Sequence, residues 1–194
     1  MTTDFAGLTD GDLAALSLAG RRLAFAELMR RHREPIYRVI LGNVGDPDEA
    51  LDLVQESFVA AWRALARYDS ARPMRAWLTT IALNKCRDWS RRRAVRRFFA
   101  RALPLDVAAE RADERASPHD EAQGRAELAR VAQAIADLPA ALREVLVLRT
   151  VEGIGQAEAA AMLGVTEKAV ETRLRRARMR LAEALATAGI ARPT

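Results

Sequence analysis

Between Thr166 and Arg180 stand six basic side chains and two acidic ones. Val170, Leu174, Ala177 and Leu181 recur at intervals of three and four and mark the stripe that a helix here must bury. Lys168, Glu171, Thr172, Arg175 and Arg176 are left on the opposite face. Such a helix entering a major groove sets its cationic groups against phosphates and base edges, so the chemistry on offer is recognition of duplex DNA. A second basic run has different company. Between Lys85 and Arg101 eight basic residues stand against Asp88 alone, interleaved with Trp89, Phe98 and Phe99. Basic groups neutralise phosphates while aromatic rings or amides hold unstacked bases, which suits nucleic acid that is partly single-stranded. A third stretch has the opposite sign: from Asp46 to Trp62 there are five acids and no base. Asp52, Gln55 and Glu56 fall together off its apolar stripe, a face unsuited to DNA and suited to a protein partner.

Helices must present all three faces, and the chain reads as all-α. Apolar positions recur every three or four residues, and alternating strand patterns and hairpin dipeptides are missing. A short helix is expected from about Asp10 to Leu18, ending near Gly20. A longer one carries Leu23, Phe25, Leu28, Met29, Ile36, Val39 and Ile40, with Pro35 placed to kink or split it. Asp46-Pro47-Asp48-Glu49 combines an N-cap, a first-turn proline and carboxylates at the positive end of the helix dipole, so the acidic helix starts there. Its expected buried stripe is Leu51, Val54, Phe58, Trp62 and Leu65. After a loop at residues 69–74 a helix begins near Arg75 with Trp77, Leu78, Ile81 and Ala82 inward.

From Ala102 to Arg125 the pattern breaks at Pro104, Pro118 and Gly124, and acids outnumber bases six to three, the composition of a linker. Leu128, Val131, Ile135 and Leu138 resume a helix, and Leu142, Val145, Leu148 and Val151 carry another that Gly153 ends. Ala160, Gly164 and Val170 then occupy the fifth, ninth and fifteenth places of a helix-turn-helix unit: a small residue where helices touch, a glycine free to take positive φ, and an apolar anchor. Thr166 is the expected cap of its second helix, and the tail after Leu185 is expected to fray. The expected division is a domain over residues 1–101, an acidic linker over 102–125 and a second domain over 126–194.

Other classes find little support. Cys86 is the sole cysteine, read as a small apolar side chain, and His32 and His119 do not make a ligand set, so no metal or cofactor is expected. No apolar run approaches the ~20 residues of a membrane span, and the acidic start MTTDFAGLTDGD is unlike a signal peptide; a cytoplasmic protein is expected. There is no glycine-rich phosphate loop and no nucleophile with a histidine partner, so an enzyme is not expected. An autonomous helix-turn-helix regulator is the alternative reading, but it needs a dimer to read paired half-sites and no dimerising heptad is evident.

The order of parts, an acidic helix, a basic helix, an acidic linker and a basic helix-turn-helix, resembles a group IV sigma factor of bacterial RNA polymerase, the extracytoplasmic-function type. LDLVQESFVAAWRAL (51–65), RAWLTTIALNKCRDWSRRR (75–93) and LPAALREVLVLRTVEGIGQAEAAAMLGVTEKAVETRLRRARMRL (138–181) carry the resemblance. It implies that the first domain is region 2, which binds the polymerase clamp and the −10 element, and the last is region 4, which binds the −35 element and the flap. The linker would thread toward the active-site cleft. The clamp surface then falls on Asp52, Gln55 and Glu56. The base-capturing loop falls on Tyr68, Asp69, Ser70, Ala71 and Arg72 and runs to Met74, with Asn84 as pocket amide and Lys85, Arg87, Arg91 and Arg92 along the backbone. The −35 contacts fall on Lys168, Glu171, Thr172, Arg175 and Arg176. The implied partners are core RNA polymerase, promoter DNA and an anti-sigma factor covering both regions, without membrane insertion. PMRAWL, ALNKCRDW and EKAVETRL also look like the branch serving cobalt and nickel resistance. Two places depart from the family: Glu171 stands where many members carry a base, and Gly155-Gln156 opens a helix where serine or threonine is common.

Overall fold

The computed structural model describes residue 5, residues 7–102 and residues 119–187. Among these residues every regular element is helical. Helix α1 (Asp10–Leu18) is fixed by a reciprocal cap: Asp12 donates its amide to Thr9 Oγ1 at 3.1 Å, and the Thr9 amide donates to Asp12 Oδ2 at 3.0 Å. Helix α2 (Arg22–Val44) runs without interruption through Pro35, so the expected split does not occur. It stops at Gly45, whose φ of 74° is open to a residue without Cβ and whose amide reaches Leu41 O at 2.8 Å.

Helix α3 (Pro47–Ala64) starts where its cap signals place it, with Asp46 Oδ1 accepting the amides of Asp48 and Glu49, each at 3.0 Å. Its buried face is turned from the expected one. Leu53, Val54, Phe58, Ala61 and Leu65 are buried, whereas Leu51 and Trp62 are 39% and 41% exposed. The reason is that α3 is packed against both α2 and α4, and the arc between them is centred on Leu53, Ser57 and Ala61. Trp62 instead lies beside Phe25, ring centroids 4.9 Å apart. Helix α4 (Met74–Ala102) completes this N-terminal unit with Met74, Leu78, Ala82, Cys86 and Trp89 in the core, while Trp77 and Ile81 are half-buried.

Helix α5 (His119–Ala136) begins inside the stretch expected as linker, so residues 119–125 are helical; the rest of that expected linker, residues 103–118, lies outside the described residues. Leu128 of α5 is 71% exposed rather than an anchor. Helix α6 (Ala140–Leu146) passes into a π-helical turn at Val147–Val151, a feature for which the periodicity gave no sign, and Gly153 then turns the chain with φ of 64°. Helices α7 (Gln156–Leu163) and α8 (Glu167–Thr187) follow; the expected frayed tail falls largely on residues 188–194, outside the described ones.

The two units share a seam. Val39 of α2 and Leu83 of α4 belong to one buried cluster with Val145, Leu148, Ile154, Ala159 and Val170. Gly42 is helical, so its lack of a side chain serves no φ requirement: a Cβ there would stand 2.9 Å from Val147 Cγ2. Glycine inside a helix costs about 0.5 to 1 kcal/mol relative to alanine, and close approach of the two units offsets it.

Candidate nucleic-acid interface

The helix-turn-helix is built as its residue types require. Gly164 takes φ of 65° between α7 and α8, and the Val165 amide returns to Ala160 O at 3.0 Å. Ala160 is buried, and Val170 and Ala177 have no exposed surface, while Leu174 and Leu181 are half-buried along the same stripe. Thr166 Oγ1 accepts the Ala169 amide at 3.2 Å and so caps α8. Gly155 gives α7 no side-chain cap. On the outer face Lys168, Glu171, Arg175 and Arg176 are exposed and Thr172 is half-buried. Lys168 Nζ donates to Glu171 Oε2 at 3.1 Å, which offsets the carboxylate charge locally. The arginines are therefore presented to solvent on a helix whose back is anchored, the arrangement that reads a groove.

The basic face of α4 is occupied differently. Lys85 Nζ reaches Glu56 Oε2 at 3.3 Å. Arg87 makes a two-pronged pair with Glu144 of α6, Nε to Oε1 and Nη2 to Oε2, both 2.7 Å. That pair raises the Arg87 pKa, so the guanidinium charge is secure. Arg91 pairs with Asp88 one turn earlier, and Arg91 and Arg92 stay exposed. Trp89 is not available to bases: it is 6% exposed, its Nε1 donates to Glu49 Oε2 at 2.7 Å, and Arg93 lies 5.0 Å over its ring. Phe99 is 56% exposed, and the side chain of Phe98 lies outside the described residues.

The loop ahead of α4 is held by its own bonds. Tyr68 Oη donates to Arg72 O at 2.7 Å, Asp69 Oδ1 accepts the Ala71 amide at 3.0 Å, and the Arg72 amide donates to Asp69 O at 3.0 Å. Burial beside Trp77, 5.2 Å away, raises the Tyr68 phenol pKa and keeps it a donor. Tyr68, Ser70, Ala71 and Arg72 line one side of an open cleft of about 650 Å³, with Asp12 of α1 opposite. The cleft is within the ~300 to 1,000 Å³ range of small-ligand sites. Asn84 does not line it. Ten residues separate Asn84 from Met74 on α4, about 15 Å along a helix, and its Oδ1 accepts from Arg87 Nη1 at 3.0 Å. The loop ahead of α4 and the Asn84 amide on α4 thus stand apart rather than in one pocket.

Asp52, Gln55 and Glu56 do come together. With Val59, Ala60, Arg63 and Lys85 they line a single open groove of about 490 Å³ along α3. Val59, one of the lining residues, is 49% exposed and adds apolar surface to a largely polar groove.

Sequence spacing missed the carboxylates of the C-terminal unit. The Glu152 side chain has no exposed surface and accepts from Arg38 Nε at 2.8 Å and Arg75 Nη2 at 2.6 Å. These partners lie 114 and 77 residues away, beyond the reach of any periodicity. Arg143 is buried near Cys86 and Glu144, and that burial pulls its guanidinium pKa down; it donates to the carbonyls of Ala136 and Leu138. Cys86 packs as expected: burial pushes its thiol up to about 12. Among the described residues no cluster of His, Cys, Asp or Glu could hold a metal, and no helix is long and apolar enough to cross a membrane.

Residues 28–96 match sigma-70 region 2 and residues 128–181 match sigma-70 region 4. A lone helix-turn-helix regulator would account for the second match only. RNA polymerase sigma factor CnrH of Cupriavidus metallidurans is 42% identical over 180 residues, covering 91% of this chain and 94% of that one. RNA polymerase sigma factor NccH of Alcaligenes xylosoxydans xylosoxydans is 38% identical, covering 89% and 92%. The solved structure of CnrH in complex with the cytosolic domain of CnrY superposes with a TM-score of 0.67 at 37% identity, covering 92% of this chain and 97% of that one. With region 2 and region 4 in order, an arginine face on α8 and a second basic face on α4, the chain belongs to the extracytoplasmic-function sigma factors, the subunits that direct bacterial core RNA polymerase to promoters through −10 and −35 recognition.

Proposed function

We propose that the groove of Asp52, Gln55 and Glu56 is where this sigma factor binds the clamp of core polymerase, with Val59 adding apolar surface. The carrying observation is that three exposed polar residues and one exposed valine share a single groove on α3. Residues 1–101 then form the core-binding and −10 unit, and residues 126–194 the −35 unit. Lys168, Glu171, Thr172, Arg175 and Arg176 face the −35 duplex from α8. Tyr68, Asp69, Ser70, Ala71 and Arg72 meet the unpaired −10 strand at the loop cleft, and Asn84 offers its amide to a flipped base further along α4. Lys85, Arg87, Arg91 and Arg92 hold the backbone between them. The chain works in the cytoplasm, changes no bond itself, and is held inactive by an anti-sigma factor. Likeness to a sigma factor solved with the cytosolic domain of CnrY supports that last partner.

Promoter-directed transcription with purified core enzyme tests the assignment. Asp52→Ala/Gln55→Ala/Glu56→Ala is expected to keep native helix content, since all three side chains are exposed, and to weaken core binding at least tenfold. Unchanged affinity of the folded variant would remove the groove from the clamp interface. Asn84→Ala is expected to lose more activity on a closed duplex than on a template already melted at −10; equal losses on both would make the residue structural.

A further inference from the structure

Among the described residues the buried charged side chains are Arg143, Glu144 and Glu152, and their charges are answered unequally. The two carboxylates are matched, Glu152 by Arg38 and Arg75 and Glu144 by both prongs of Arg87. Arg143 is not. Its Nη1 donates to the Ala136 and Leu138 carbonyls, and its Nε is enclosed with no hydrogen-bond partner among the described residues. Glu144 and Asp137 are near enough to act on it electrostatically, yet Glu144 is spent on Arg87 and Asp137 accepts from Gln133 Nε2 at 2.9 Å. A guanidinium stays charged in a protein, so one that is buried calls for an anion, and carbonyl dipoles supply only part of that need.

The space beside Arg143 suits such an anion. Arg143 lines a cleft of about 400 Å³ together with Trp89, Ser90 and Arg93 of α4 and Gln133 of α5, a volume within the ~300 to 1,000 Å³ range of small-ligand sites. Arg93 brings a second guanidinium, 5.0 Å over the Trp89 ring, and among the described residues neither arginine has a carboxylate bonded to it. The acids in the lining are already supplied with donors: Asp46 accepts the amides of Asp48 and Glu49, and Asp137 is held by Gln133. The open valences of the cleft are therefore donors. A planar carboxylate is used up by one two-pronged arginine, as Glu144 is by Arg87, whereas a tetrahedral phosphate accepts from two arginines on different walls at once.

We propose that this cleft binds a small phosphate-bearing molecule, its phosphate held between Arg143 and Arg93 and its remainder lying toward Ser90 and Gln133. The walls come from both units, so the molecule is gripped only where they meet, and its occupancy stabilises that arrangement by mass action. A soluble metabolite thereby becomes an input to the chain alongside its macromolecular partners.

Titration calorimetry on the full chain, in phosphate-free buffer at constant ionic strength, tests the site with three probes: inorganic phosphate, adenosine monophosphate as an ester large enough to fill the cleft, and citrate as a carboxylate control. Saturable binding of adenosine monophosphate is expected, weaker binding of inorganic phosphate, and none of citrate. Arg93→Gln removes one charge-assisted bond and is expected to raise the dissociation constant about tenfold. Arg92→Gln removes the same charge from an exposed neighbour outside the lining and is expected to leave it unchanged. Arg143→Gln is expected to abolish binding, and if that variant does not fold, the comparison of the two exposed arginines decides. The melting temperature of the native protein is expected to rise with adenosine monophosphate and that of Arg93→Gln to rise less. Equal losses in Arg92→Gln and Arg93→Gln would reduce the effect to diffuse attraction and overturn the site. Citrate binding as tightly as the phosphate ester, or no saturable heat from any of the three, would overturn it as well.

Discussion

Helices α4 and α8 carry comparable runs of arginine and are held in opposite ways. On α8 the outer face is open, with Arg175 and Arg176 exposed and the acid Glu171 tied to Lys168 beside it. On α4 the equivalent charges are already engaged within the molecule, Lys85 by Glu56, Arg87 by Glu144 and Arg91 by Asp88. A charge count finds both faces and cannot tell them apart, because it does not show whether a counter-charge is already supplied by the same chain. Duplex binding by α8 would need no rearrangement, whereas nucleic-acid contacts by these α4 charges would compete with the chain's own acids.

Thiol reactivity probes this comparison with the largest expected effect. Met179 on α8 is 58% exposed, so Met179→Cys would place an open thiol on the free helix beside the native Cys86 of the covered one. With the Cys86 thiol at about 12 against an ordinary 9.0, its thiolate fraction at pH 8 is about a thousandfold lower, and alkylation is expected in two phases separated by at least that factor. Because the folded pKa is the higher one, the folded state loses stability as pH rises from about 9 toward 12. Phases of similar rate would show that the core face of α4 is as accessible as the outer face of α8.

Arginine substitutions on α8 come next. Arg175→Ala and Arg176→Ala are each expected to weaken −35 duplex binding, by about 1 to 3 kcal/mol and with relaxed specificity if the side chain reads a base edge. A phosphate contact instead weakens all sequences alike and lowers the salt slope by about 1. Binding isotherms on matched and mutated duplexes at two salt concentrations distinguish the roles. If neither variant changes binding, the open face of α8 is not the DNA face.

The smallest effect compares the caps of the two units. Asp46 accepts two amides at 3.0 Å and Thr166 one at 3.2 Å. Asp46→Ala is expected to cost about 1 to 2 kcal/mol of unfolding free energy and Thr166→Ala about 0.5 to 1, read from denaturant titrations. A reversed order would place the weaker hold in the N-terminal unit.

What the sequence disclosed is what local spacing governs. Asp46 and Thr166 cap helices through amides two or three residues on, and Gly164, Val170 and Ala177 answer to the geometry of one turn and one stripe. Where several helices decide, spacing misled. Leu51 and Trp62 fit an apolar stripe but fall outside the arc that α2 and α4 cover, and Trp89, grouped with the base-stacking aromatics, is buried on a bond to Glu49. The Glu152 pairs were invisible because they join residues far apart in the chain, and the π-helical turn at Val147–Val151 left no mark on the apolar pattern.

Trp89 has one more consequence, an optical one. The chain has three tryptophans, Trp62, Trp77 and Trp89, all in the N-terminal unit. Trp89 and Arg93 line a cleft of about 400 Å³ whose other wall is Gln133, Asp137 and Arg143 of the C-terminal unit. An indole sheltered from water emits toward the blue, and withdrawing that wall wets the edge of its ring. The protein thus carries its own unlabelled reporter: any separation of the units would shift tryptophan emission to the red, a change to be followed while core polymerase or DNA is added.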